Sequence, residues 1–297
     1  MKNIVIYLTI ICSIFFSSCS KNLSSIQNKP AEQIATDYAI IKDLPYATDR
    51  LQKMDIYLSK EAASFGKHKY TIVFLHGGGY YFSDKSDQEL YIQPYLEKGL
   101  NVINMNYRLK KGVPIATSDL TIALNFLKAN NSEYNLNLEN IIVTGFSAGA
   151  HIATNVGFSQ NNPGFPNKLK QGILITGIIN FSGSVDRQDI IEKTFIDSDI
   201  EVLSTLGKAL YPSEGYEVKD VFAAYEPITY FDAKDPPLFL WQGGMDDQIL
   251  PETYDAFVPL LRKGKEVHIF VSDGQHSPTQ DELINAYVEI FSFLDDL

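Results

Sequence analysis

Apolar residues follow two rhythms along this chain. Short apolar runs recur at residues 70–75, 101–105, 141–144, 172–180, 238–242 and 267–271. They have strand length and are rich in Val, Ile, Leu and Phe, the composition of strands buried on both faces of a parallel sheet. Between most of them lie stretches with apolar residues at helical spacing, notably 120–129 and 279–294. This alternation predicts an α/β fold: a mostly parallel central sheet with helices on both faces. Ahead of it, residues 38–41 and 54–58 flank a Pro45-Tyr46 turn region and predict an antiparallel hairpin. No internal repeat breaks the pattern.

The beginning of the chain has a different pattern. Met1-Lys2-Asn3 is a short basic start, and residues 4–16 form an apolar run of thirteen. That is too short to span a bilayer and the right size for the core of a signal peptide. Ser17-Ser18-Cys19-Ser20 resembles a bacterial lipoprotein cleavage box, with Phe16 where Leu is commoner. The reading is a signal peptide over 1–18, lipidation at Cys19, a polar tether over 19–33 and one folded domain over 34–297. An ordinary secretory signal is the alternative. Either way the chain is expected to be exported. With the lipid it would face the periplasm on the inner or outer membrane, touching the membrane through Cys19 alone.

Composition narrows the function. The chain has 297 residues, 45% of them hydrophobic, which suits one large core. Cys12 lies in the removed segment, so the mature chain has no intrachain disulfide and no cysteine-based metal site. The formal charge of −11 becomes −12 when Lys2 is removed, since Lys2 is the only charged residue in 1–18. An acidic chain without a basic cluster argues against nucleic-acid or anionic-lipid binding.

Candidate chemistry centres on Gly145-Phe146-Ser147-Ala148-Gly149, which follows a predicted strand and precedes a predicted helix. In that context G-x-S-x-G is a nucleophile elbow, holding the Ser147 hydroxyl above the sheet and aiming the Ala148 N–H at a forming anion. Upstream, His76-Gly77-Gly78-Gly79-Tyr80 follows the strand at 70–75. Its glycines free backbone N–H groups, those of Gly78 and Gly79, to complete an oxyanion hole. A serine nucleophile needs a base, and the chain has five histidines. His68 precedes a strand, His76 braces the glycine turn, His151 points away from the serine on the elbow helix, and His268 lies within a strand. His276 remains, in a loop after a strand, where parallel sheets place their chemistry.

These motifs, with Asn106-Tyr107-Arg108-Leu109, Pro114, Asp119 and the 226–238 run, resemble the α/β-hydrolases of the HGGG esterase group. The likeness extends from about Asp55 to the C-terminus and is BD-FAE-like, close to small bacterial carboxylesterases and feruloyl or acetyl esterases. It implies an acid between serine and histidine in chain order. Gly243, Asp246 and Ile249 fit the family pattern, with Asp247 as competitor. Gln242 stands where histidine is common, and Ser277-Pro278 replaces a small-plus-aromatic pair. The resemblance also implies a cap or pocket wall over about 182–236. The expected enzyme is a serine carboxylesterase acting on short acyl esters of small molecules or glycans through Ser147, His276 and Asp246, with no metal or organic cofactor. Tyr80 and Tyr81 either stack on an aryl or sugar group or pack the loop. A peptidase, an aryl-formamidase and a non-catalytic binding protein remain as alternatives.

Overall fold

A computed structural model describes residues 36–297 apart from residues 187, 196 and 211–217. The proposed signal, Cys19 and the tether lie outside the described residues. Eight strands form one sheet: β1 (Tyr38–Pro45), β2 (Lys53–Ser59), β3 (Thr71–Leu75), β4 (Asn101–Met105), β5 (Ile141–Phe146), β6 (Ile175–Phe181), β7 (Leu238–Gly243) and β8 (Val267–Val271). Their spatial order is β1-β2-β4-β3-β5-β6-β7-β8. The predicted hairpin is present, with Tyr38 opposite Ser59 and Pro45 opposite Lys53. β2 runs antiparallel to β4, and every pairing from β4 to β8 is parallel.

The central strands are apolar throughout because both faces are covered. Every residue of β3, β5 and β7 is buried. Successive side chains point to opposite faces, so β3 feeds two cores. Val73 and Leu75 join one with Ile103, Val143, Leu124 and Ile152. Ile72 and Phe74 join the other with Val102, Ile142, Trp241 and Ile290. The first face is covered by α2 (Val113–Ala129) and α4 (Ala148–Ser159). The second is covered by α1 (Gln93–Glu97) and α8 (Gln280–Asp296), which bury Tyr95 and Leu96, and Leu283, Ala286, Tyr287, Ile290 and Leu294. The spacing of the α8 residues is one helical stripe. Its start is fixed by a capping box in which the Thr279 hydroxyl accepts from the Glu282 N–H.

Several element boundaries differ from the sequence expectation, among them the starts of β6 and α2. β6 begins at Ile175 rather than residue 172, because Gly172 turns the chain at φ +79° and Leu174 is exposed. α2 begins at Val113, with Pro114 in its first turn, where a missing N–H costs nothing. Among its described residues, the stretch 182–236 contains three helices, α5 (Gln188–Phe195), α6 (Glu201–Leu210) and α7 (Val218–Tyr225), plus a short 3-10 turn at Pro227–Thr229. A short helical turn, α3, spans Asn131–Tyr134.

The connection leaving β3 runs to β4 on one side, whereas the chain leaving β5 runs to β6 on the other. The carboxyl ends of β3 and β5 therefore flank a topological switch point, where a crevice opens between diverging loops. The glycine turn and the serine elbow are those two loops.

Candidate active site

Steric demand builds the elbow. Ser147 sits at φ +52°, ψ −119°, a conformation L-residues rarely adopt. It is held there by its N–H donating to Phe181 O (2.8 Å) and its carbonyl accepting from His151 N (3.0 Å). The flanking glycines are required by contact. A Cβ on Gly145 would stand 2.5 Å from Gly149 C, and one on Gly149 would stand 2.1 Å from Leu75 O. Strand and helix approach so closely that the turn can only project its one side chain outward.

His276 lies beside that hydroxyl. Its Nε2 is 2.9 Å from Ser147 Oγ and its Nδ1 is 2.8 Å from Asp246 Oδ2. The imidazole is buried, its ring 5.1 Å from that of Phe146. Its own carbonyl accepts from the Ser182 hydroxyl at 2.7 Å. Asp246 is 3% exposed. Its Oδ1 accepts from the N–H groups of Gln248 and Ile249, both at 2.8 Å, which leaves Oδ2 facing the imidazole. Asp247 is exposed. The acid and histidine loops are tied together: Met245 N donates to Gly274 O, and a Cβ on Gly243 would come within 2.3 Å of Gln275 O. Gln242, the unusual residue before this loop, places its Oε1 3.1 Å from His268 Nε2.

The glycine turn passes directly over the serine. A Cβ on Gly77 would stand 3.2 Å from Ser147 Cβ. The Gly77 N–H donates to Gln88 Oε1 at 2.8 Å, so it is already engaged. Gly78 (φ +115°) and Gly79 (φ +57°) adopt left-handed backbone that glycine takes without strain. Above Gly79 lies Leu206 of α6, 3.6 Å from where a Cβ would be, so α6 forms a wall over the turn. Ala148 is the first residue of α4, where a helix leaves its N–H groups without intrahelical partners.

The other singled-out residues have other positions. His76 is buried, stacked 4.5 Å from the Tyr107 ring, with its Nδ1 2.6 Å from Gly77 O. Burial pulls its pKa below the usual histidine value. Tyr107 donates to the His76 carbonyl at 3.0 Å, so the Asn106–Leu109 run braces the glycine turn from below. The neighbouring Arg108 bonds Asp119, which is fully buried, through Nε and NH2. Tyr80 is 3% exposed, its hydroxyl turned inward to His151 Nδ1 at 2.5 Å, which is the loop-packing position. Tyr81 is half-buried with Lys110 Nζ 4.3 Å from its ring centre, and Phe82 is exposed. Sequence reasoning missed Ser182, the Phe146 contact with His276 and the Gln88 bond. None carries a local signal, because each acts on a residue distant in the chain.

A comparison with known families decides the lineage. The BD-FAE family profile matches residues 54–258. The chain belongs to the BD-FAE family. The match includes the glycine turn, the elbow and Asp246, and ends before His276. Among curated proteins, a probable carboxylic ester hydrolase, LipM of Mycobacterium tuberculosis, is 25% identical over 239 residues, 78% of this chain and 54% of that protein. The chain spans between 30% and 64% of the length of the curated relatives it matches. Among solved structures, Esterase B from Lactobacillus rhamnosis superposes with a TM-score of 0.72 at 16% identity, covering 99% of this chain and 94% of that one. A bifunctional GH43-CE protein of Bacteroides eggerthii gives a TM-score of 0.68 at 22% identity, over 86% of this chain and 38% of that one. These likenesses match the α/β-hydrolase fold expected from the motifs. This BD-FAE chain thus combines that fold with a Ser-His-Asp alignment at its switch point.

Proposed function

We propose that this protein is a serine carboxylesterase that hydrolyses short-chain acyl esters. The observation that carries the reading is the aligned Ser147 Oγ–His276 Nε2–Asp246 relay, 2.9 and 2.8 Å, on an elbow facing the glycine turn. In the mechanism this geometry supports, His276 takes the Ser147 proton as Oγ attacks the ester carbonyl carbon. Asp246 orients the imidazole and stabilises its charged form. The N–H groups of Gly78, Gly79 and Ala148 receive the oxyanion. His276 then gives the proton to the leaving alcohol oxygen. Water, deprotonated by His276, attacks the acyl-enzyme and releases the carboxylic acid and free Ser147. Each step uses side chains and backbone of the chain itself.

A short acyl group is favoured because the α6 wall, through Leu206, stands close over the glycine turn. A glycan as the alcohol is supported by the fold shared with a carbohydrate esterase from gut microbiota. A panel of acetyl, butyryl, octanoyl and feruloyl esters tests the substrate, with acetylated xylan, an aminoacyl arylamide and a formyl anilide added. The expected kcat/KM is highest for acetyl or butyryl and declines beyond: a methylene that fits an apolar pocket adds about 1 kcal/mol or less of binding, and one that meets the Leu206 wall adds none. A maximum at octanoyl, or faster turnover of the amide or anilide, replaces this reading with a lipase-like, peptidase or formamidase one.

We further propose that Cys19 is lipidated and holds the enzyme on the periplasmic side of a membrane. The support is the thirteen-residue apolar run ending before Ser17-Ser18-Cys19 and the polar stretch behind it. Stable anchoring takes two or more acyl chains. Fractionation is expected to find the wild type with membranes and Cys19→Ala in the soluble fraction. A soluble wild type, or an unmodified mature N-terminus by mass spectrometry, leaves a plain secretory signal instead.

A further inference from the structure

His151 is not needed in the hydrolytic steps above, yet it is more completely built in than a helix residue requires. It lies one helical turn beyond Ser147 on α4 and is 5% exposed. Its Nε2 is 2.9 Å from the carbonyl of Tyr225, the last residue of α7. The carbonyl can only accept, whereas Asn155 Nδ2, also 2.9 Å from Nε2, can only donate; we assign the hydrogen to Nε2, facing the carbonyl. Nδ1 is then a lone pair, and the Tyr80 hydroxyl donates to it at 2.5 Å. Asn155 Nδ2 donates to the same Tyr225 carbonyl at 2.6 Å. Each ring nitrogen of a neutral imidazole thus has a partner of the right polarity. Burial supports that state, pulling the His151 pKa down to about 4.

The three groups joined belong to the glycine turn, to α4 and to the end of α7. Tyr80 follows Gly79 directly and holds φ +61°. Its carbonyl accepts from Lys110 N at 2.7 Å, and its ring meets Tyr107 edge-on at 6.2 Å. Tyr107 in turn holds the His76 carbonyl at the start of the glycine turn. With Tyr80 fixed at one end and His76 at the other, the backbone between them, Gly77 to Gly79, has both ends anchored. His151 ties the far end to the same helix that positions Ser147 and Ala148.

We propose that His151 is a positioning residue, whose bridge from Tyr80 to the Tyr225 carbonyl sets the glycine turn at its working distance from Ser147. This rests on the serine-esterase reading of the site. The bridge fixes the donors on the turn relative to the nucleophile. Donors in an oxyanion hole act through placement, and a displacement of about 1 Å can cost about a hundredfold in rate.

Tyr80→Phe is the mildest test, because it removes one hydroxyl and keeps the ring. With p-nitrophenyl acetate, kcat is expected to fall about tenfold to hundredfold. KM should remain within about twofold, because donors aimed at the oxyanion act in the transition state rather than in substrate binding. The affinity of a boronic acid that forms a tetrahedral adduct should weaken by the same factor as kcat/KM. His151→Gln, which keeps one donor and one acceptor, should retain more activity than His151→Leu. Adding His151→Leu to Tyr80→Phe should cost less than the product of the two single losses. Melting curves identify any variant that fails to fold, and Tyr80→Phe then carries the test. If Tyr80→Phe and His151→Gln both turn over like wild type while Ser147→Ala is inactive, this inference is wrong and the esterase reading stands. A rise in KM with kcat unchanged also overturns it. If Ser147→Ala remains fully active, the esterase reading itself fails.

Discussion

Ser147→Ala should lose about 10⁴- to 10⁶-fold in kcat on p-nitrophenyl acetate, the scale at which other serine triads respond to loss of the nucleophile. The variant should still fold. The elbow is held by backbone bonds, Ser147 N to Phe181 O and His151 N to Ser147 O, and by the close approach of Gly149 to Leu75, none of which uses the hydroxyl. Alanine at φ +52° carries the same backbone strain that serine does. The two proteins should therefore melt within a few degrees of each other, and KM should change little, because the substrate is bound by the same pocket. A fluorophosphonate should label wild type at Ser147 and leave the variant unlabelled. Label on another residue, or undiminished turnover, would reassign the nucleophile.

Much of this geometry was legible in the sequence because sterics left a record there. The elbow needs small residues two places either side of the serine, since Gly145 and Gly149 pack against backbone. That demand is local and shows as a pentapeptide. The strands were legible for a similar reason: β3, β5 and β7 are buried on both faces, so they read as unbroken apolar runs. Boundaries were less clear where burial and polarity disagree. The first turns of α2 contain Thr117 and Asp119, both fully buried, and Asp119 is there to meet Arg108. A polar residue satisfied by a partner looks in sequence like a surface residue. Long-range contacts with no motif behind them left no trace. The Tyr80–His151 bridge joins residues 71 apart, and Ser182 reaches His276 across 94. Nothing in either neighbourhood announces the other.

The choice between Asp246 and Asp247 turns on a single position, and it leads to the second large effect. Two adjacent aspartates after a strand look alike in sequence, while the loop separates them completely. The Gln248 and Ile249 N–H groups grip Asp246 Oδ1 and turn Oδ2 toward His276, leaving Asp247 in solvent. Asp246→Asn is nearly isosteric, and its amide oxygen can keep both backbone bonds, so the loop should persist. The amide nitrogen then faces His276 Nδ1. That nitrogen donates, so the imidazole must accept through Nδ1 and carry its hydrogen on Nε2. An Nε2 that already holds a hydrogen cannot take the proton from Ser147. The expected loss in kcat is about 10⁴-fold, as wrong-tautomer triads show. Asp247→Asn should stay within about twofold of wild type, because an exposed carboxylate outside the relay contributes only a screened field. Measuring kcat for both variants against the same ester decides it. A larger loss at Asp247 would mean that the working loop differs from this one, with the second aspartate turned inward and the grip of the 248 and 249 N–H groups released.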